Sequence, residues 1–110
     1  MSDLARLQDE IQYTFRDERL LRTALTHPSV AYELDQTDET NQRLEFLGDA
    51  VLQLVLSRAL YVRHPDAAEG DLTKARARLV NRRSLAEQGQ QMALGRYLTL
   101  GRGEELQGGR

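Results

Sequence analysis

The chain of 110 residues contains no cysteine, which excludes a disulfide framework and a thiolate zinc site and fits a reducing cytoplasm, where the protein is expected to reside. No apolar run approaches the ~20 residues that span a bilayer, and the opening MSDLARLQDE lacks a signal-peptide pattern. No stretch alternates apolar and polar residues as a strand does, and neither an internal repeat nor a low-complexity tract is present. An excess of one charge is missing too: the net charge of −2 argues against a simple basic nucleic-acid binder. What remains is ordinary globular composition, 40% hydrophobic and 29% charged, enough for one domain at most.

The distribution of charge says more than its sum. Between Glu33 and Asp49 stand six acids (Glu33, Asp35, Asp38, Glu39, Glu45, Asp49) against the single base Arg43. Between Leu72 and Arg83 stand five bases (Lys74, Arg76, Arg78, Arg82, Arg83) and no acid. An acidic centre beside a basic strip suits a polyanion held at its backbone and cut at a metal site. It equally suits charge pairing within the chain.

Helical periodicity runs throughout. Leu4, Leu7 and Ile11 give a first amphipathic helix over 3–13, followed by Phe15 as a packing anchor. Asp17 can cap a second helix from Glu18 to about Thr26, with Leu20, Leu21, Ala24 and Leu25 facing inward, before Pro28 stops it. His27, beside that proline, reads as a structural group hydrogen-bonding a neighbouring backbone. Residues 33–41 read as an exposed loop. A long helix continues to about Arg63, ended by His64-Pro65. Another opens at Gly70 or Asp71, with Leu72, Ala75, Leu79 and Val80 on an apolar face and Lys74, Arg78 and Arg82 on a second. Ser84 can cap a further helix through Met92, closed by Gly95.

The long helix is the centre of the chain. Asn41 to Leu56, NQRLEFLGDAVLQLVL, is apolar almost all round, as expected of a helix buried in the middle of its domain. Yet Glu45 and Asp49 lie one turn apart on one face, about 5–6 Å apart at Cβ. Buried so close, two carboxylates repel and are costly to ionise. The positive helix N-terminus after an Asn41 cap, a retained proton, or a cation bound between them would each relieve this. Gly48, costing ~1 kcal/mol against Ala in mid-helix, would admit a close neighbour.

The segment Asn41-Gln42-Arg43-Leu44-Glu45-Phe46-Leu47-Gly48-Asp49-Ala50-Val51-Leu52 resembles the signature helix of the ribonuclease III family, the double-strand-specific endoribonucleases. Leu25-Thr26-His27-Pro28-Ser29, Glu69-Gly70-Asp71-Leu72 through Ala77-Arg78-Leu79-Val80-Asn81, and Leu94-Gly95-Arg96-Tyr97-Leu98 with the glycine-rich 101–109 extend the resemblance over nearly the whole chain. It implies an all-α ribonuclease III-type nuclease domain over 1–110 and Mg²⁺-dependent hydrolysis of double-stranded RNA, as in the processing of ribosomal and messenger RNA precursors.

By this resemblance Glu45 and Asp49 are metal ligands, Asp49 is also a catalytic carboxylate, and Glu69 belongs to the catalytic cleft, though Glu69 also reads simply as a helix N-terminal charge. Mg²⁺ is the implied cofactor, with Mn²⁺ as a substitute, since hard oxygen ligands on a rigid helix suit such ions. Lys74, Arg78 and Arg82 are candidates for phosphate contacts, together with Arg76 and Arg83; solvated surface bases look the same in sequence. The resemblance makes the protein a homodimer with Phe46 and Gln42 at the interface, although Phe46 also reads as a core residue. Double-stranded RNA is the expected partner; neither a membrane nor a small-molecule substrate is.

Two departures stand out. Gln42 occupies a position where the family often has Glu, which is expected to tune activity. The family's glycine-rich loop leads into a helix carrying an Asp and, three residues later, a Glu that complete the metal site, whereas this sequence stops at Arg110. The domain is therefore expected to be incomplete at its C-terminus, without the family's downstream double-stranded-RNA-binding domain, with apolar core surface uncovered and with catalysis impaired. A non-catalytic RNA-associated or dimerisation module of the same fold is the alternative.

Overall fold

Ser2 caps helix α1 by accepting a hydrogen bond from the Ala5 amide at 3.1 Å, and the helix runs from there over Asp3–Ile11. A computed structural model describes residues 2–30 and 40–101. Four further helices have both ends within the described residues: α2 (Glu18–Ala24), α3 (Gln42–Arg63), α4 (Glu69–Val80) and α5 (Arg82–Gln91), with a 3-10 turn at Leu94–Tyr97. Among the described residues an isolated parallel bridge, Thr26 to Thr99, is the only β-type pairing, so the all-α expectation holds. The acidic loop of 33–39 and the glycine-rich stretch after Gly101 lie outside the described residues.

The chain forms two compact units, Met1–Glu45 with Ala93–Arg110, and Phe46–Met92. The first holds the core. Leu7 of α1, Leu21 and Leu25 of the α2 region and Tyr97 of the 3-10 turn are buried together, with Leu4, Ile11, Phe15, Leu94 and Leu98 packed around them. The helical spacing of Leu4, Leu7 and Ile11 thus serves the purpose it suggested. Leu20, expected inside, is half exposed because Leu21 and Leu25 alone define the inward side of so short a helix. Asp17 caps α2 as expected through the Arg19 amide at 3.1 Å; the hydrogen bond from the Arg19 side chain, then that backbone bond, hold its carboxyl below the usual range. Tyr97 donates its hydroxyl to Glu10 Oε2 at 3.2 Å, and burial first, then this bond, push the phenol up from its ordinary value.

A clasp closes this unit. Thr99 donates to Leu25 O at 2.9 Å, His27 donates back to Thr99 O at 2.8 Å, and the Gly101 amide reaches Ser29 Oγ at 2.6 Å. His27 has the structural role anticipated for it, since its Nδ1 accepts the Ser29 amide at 3.0 Å and lies 2.8 Å from Ser29 Oγ. Accepting that amide requires an unprotonated Nδ1, which places the ring proton of the neutral tautomer on Nε2. A Cβ on Gly101 would lie 2.6 Å from Ser29 O, so only glycine fits there.

The second unit comprises the greater part of α3 with α4 and α5. Arg76 of α4 donates from Nη1 to Ser57 Oγ of α3 at 2.9 Å. Helix α4 starts at Glu69, one to two residues earlier than the sequence suggested, with Ala68 at its N-cap position. Asn81, not Ser84, caps α5: its Oδ1 accepts the Ser84 amide at 2.9 Å, leaving the Ser84 hydroxyl to donate to Arg78 O at 2.7 Å. After α5, Ala93 turns the chain in the left-handed region at φ 54°, the role the sequence had suggested for Gly95.

The largest departure concerns α3. None of its residues is buried, and Phe46, Leu54 and Tyr61 are 84%, 69% and 72% exposed. A helix apolar on every side needs neighbours on every side, and in its unit only α4 and α5 accompany it. The core reading of Phe46 is thereby overturned.

Candidate metal centre and nucleic-acid interface

Helix α3 is one uninterrupted helix of 22 residues, so the spacing of Glu45 and Asp49 fixes their relation: one turn apart, ~5–6 Å between Cβ atoms. Both side chains are exposed, and neither has a hydrogen bond or ion pair among the described residues. The desolvation cost anticipated for a buried carboxylate pair therefore does not arise. Gly48 has no atom within 4 Å of where a Cβ would stand, so it accommodates no close neighbour among the described residues. Two hard, unpaired oxygen donors on a rigid helix are a fit for part of the coordination shell of a divalent cation. Among the described residues no three acidic or histidine side chains gather into a cation-binding group.

The helix start is held by main chain. Asn41 does not cap α3 with its side chain as expected. Its amide Nδ2 donates instead to Ala24 O at 3.2 Å, its backbone N–H donates to Thr26 O at 2.8 Å, and its carbonyl takes the first helical bond, from the Glu45 amide at 2.8 Å. Its Oδ1 is buried without a partner among the described residues, a condition that costs ~1–3 kcal/mol. Gln42, next in line, is exposed.

Glu69 sits elsewhere. It is the first residue of α4, accepts the Thr73 hydroxyl at 2.9 Å, and lines a half-open cavity of about 220 Å³ with Ser57, Leu60, Tyr61, Leu72, Thr73 and Arg76. Ser57 lies eight residues beyond Asp49 on α3, roughly 12 Å along the axis at 1.5 Å per residue. Glu69 thus faces the C-terminal half of α3, while Glu45 and Asp49 occupy its start.

The five bases of the strip sort into two classes. Arg76 is half-buried and bonded to Ser57, and Arg83 pairs with Glu87 at 3.4 Å. Lys74, Arg78 and Arg82 are exposed, with no side-chain partner among the described residues. By helical spacing Lys74 and Arg78 lie opposite the α4 face formed by Glu69, Thr73 and Arg76. Sequence reasoning put Lys74, Arg78 and Arg82 on one face and added Arg76 and Arg83 as further candidates, without the contacts that set those two apart. It also missed the Asn41 anchor and the clasp beneath it, since neither leaves a periodic signal.

Comparison with known proteins gives one consistent result. The pattern of the family described as Ribonuclease-III-like matches residues 17–110. Ribonuclease 3 of Oleidesulfovibrio alaskensis is 56% identical over 105 residues, spanning 96% of this chain and 46% of that protein. Ribonuclease 3 of Desulfotalea psychrophila is 49% identical over 106 residues, spanning 96% of this chain and 44% of that one. The chain therefore spans about half the length of the curated relatives it matches. A solved nuclease domain of ribonuclease III from Campylobacter jejuni, described for structural flexibility in its region involved in dimer formation, superposes with a TM-score of 0.89 at 41% identity. That superposition covers 97% of this chain and 71% of the other. With its all-helical fold and the Glu45–Asp49 pair on α3, the chain belongs to the Ribonuclease-III-like family.

Proposed function

We propose that this chain is the nuclease module of an endoribonuclease that hydrolyses phosphodiesters of double-stranded RNA, with Mg²⁺ or Mn²⁺ held at Glu45 and Asp49. The observation that carries the reading is the pair itself: two exposed, unpartnered carboxylates one turn apart on the helix that bears the family signature. Glu45 and Asp49 would hold a divalent ion there, which when bound would supply an activated water and neutralise charge developing at phosphorus. Glu45 and Asp49 hold that charge in place; Lys74, Arg78 and Arg82 offer cations to backbone phosphates. Duplex RNA read through shape, phosphates and 2′-hydroxyls needs no base-reading element. Glu69 and Gln42 would each adjust the charge presented to the RNA. Among the described residues these two carboxylates would supply only part of the ion's shell, and slow turnover by the 110-residue chain is part of the proposal.

Phe46 at 84% exposure supports a homodimer with Phe46 and Gln42 at the contact, since monomers rarely leave large apolar surfaces in water. The same exposure supports the alternative of a dimerisation module that does not cut. The deciding experiment incubates a labelled perfect RNA duplex, and the same duplex as DNA, with Mg²⁺ and either the wild-type chain or Asp49→Asn. RNA-only cleavage, abolished by EDTA and reduced about 100-fold or more in Asp49→Asn, is expected. Retained duplex binding without any cleavage would favour the non-catalytic module.

A further inference from the structure

We infer that Asn41 is a positioning residue that sets the place of Glu45, acting through main-chain contacts and not as a ligand. The inference rests on the metal-binding reading of Glu45 given above, and its observations all lie in the unit containing Glu45.

Three hydrogen bonds converge on Asn41 one turn before Glu45. Nδ2 to Ala24 O (3.2 Å) and N–H to Thr26 O (2.8 Å) tie the residue to the segment after α2, and its carbonyl accepts the Glu45 amide (2.8 Å). The segment receiving those bonds is itself immobilised by the Leu25–Thr99 and His27–Thr99 pairings and by Gly101 against Ser29. Glu45 has no side-chain partner among the described residues, and of these contacts it is the backbone that sets the place of its carboxylate. The geometry therefore runs from the clasp to Asn41 to the Glu45 main chain.

A residue present only to start α3 would point its oxygen at the free amides of the first turn, as Ser, Thr and Asp do at N-caps. Asn41 does the opposite. It spends its amide donor on Ala24 and leaves Oδ1 buried without a partner among the described residues, a choice unfavourable to stability. Residues kept at such a cost cluster where a fixed geometry matters to function, and outer contacts of this kind tune the groups that hold metals.

The test is Asn41→Ser in the 110-residue chain. Serine caps a helix well, so α3 keeps its start, but its short side chain does not reach Ala24 O. Mn²⁺ affinity is measured by paramagnetic broadening of the Glu45 and Asp49 resonances, and hydrogen exchange of the Glu45 amide is followed in metal-free protein. Loss of positioning predicts about tenfold weaker Mn²⁺ binding, in the range of outer-contact substitutions, with faster exchange at Glu45 and an unchanged helix content. Asn41→Ala, which removes both the tie and the orphaned oxygen, is expected to behave like Asn41→Ser. Mn²⁺ affinity within twofold of wild type in either folded variant overturns the inference while leaving the metal site standing. Absence of Mn²⁺ broadening at Glu45 and Asp49 in the wild type overturns both.

Discussion

Adding one methyl group at Gly101 is a stringent test of the clasp. An alanine Cβ there would stand 2.6 Å from Ser29 O, 2.8 Å from its carbonyl carbon and 2.9 Å from its Cβ. Two of these atoms are backbone and cannot swing aside. Reaching ordinary contact at 3.4 Å requires a shift of roughly 0.8 Å, enough to disrupt the 2.6 Å bond from the Gly101 amide to Ser29 Oγ. Overpacking of this kind costs about 1–3 kcal/mol and the lost hydrogen bond about 0.5–1.5 kcal/mol. Alanine also restricts the unfolded chain, returning about 0.4–1 kcal/mol. The net loss is therefore about 0.5–4 kcal/mol. Gly89 provides the control, because a Cβ there, within α5, meets nothing within 4 Å. Gly89→Ala should stabilise by about 0.5–1 kcal/mol through helix propensity alone. Urea denaturation of the two variants beside wild type gives both numbers, with opposite signs expected. A Gly101→Ala chain as stable as wild type would refute the close approach of residues 29 and 101.

Other outcomes follow from the same contacts. Phe46→Ala should alter stability by less than about 0.5 kcal/mol, since the ring is 84% exposed, yet shift sedimentation from dimer to monomer; a dimer that persists would remove Phe46 from the interface. Tyr97 has its phenol pKa raised, so the stability it contributes is complete below the ordinary tyrosine value of about 10 and is lost as pH rises through the higher folded value. Stability measured from pH 9 to 11 should accordingly fall more steeply in wild type than in Tyr97→Phe, and equal slopes would contradict the burial of that hydroxyl. Arg78→Ala and Arg82→Ala should each lower the salt dependence of duplex RNA binding by about one unit of slope, whereas Arg83→Ala, whose partner is Glu87, should leave it nearly unchanged; equal effects at all three positions would show that the ion pair does not sort these bases.

Much of the fold was legible because its signals are local. The Leu4–Leu7–Ile11 spacing, the Asp17 cap and the His64-Pro65 stop each act within a turn or two of the residues they govern, and α1, α2 and α3 lie where these signals put them. That Asn81 and not the expected Ser84 caps α5 was not legible, because both residue types cap well and the Ser84 hydroxyl is instead engaged with Arg78 O. The clasp was hidden for a different reason: Thr26, Ser29, Thr99 and Gly101 meet across some seventy residues of sequence without any periodicity. The all-round apolar pattern of α3 reports what that helix is able to bury, and the exposure of Phe46 and Leu54 shows that ability unused. At the candidate site, the Glu45–Asp49 spacing follows from helix geometry alone, while the place of Glu69 beside Ser57 and Tyr61 depends on how α4 packs on α3.

The most direct measurement is where a divalent ion settles on the chain. Titrating the isotopically labelled protein with Mn²⁺ should broaden resonances first around Glu45 and Asp49, and the broadening should vanish in Glu45→Gln and Asp49→Asn without loss of helix content. Broadening centred instead on Glu69, or unchanged in both variants, would contradict the assignment of the metal to the start of α3.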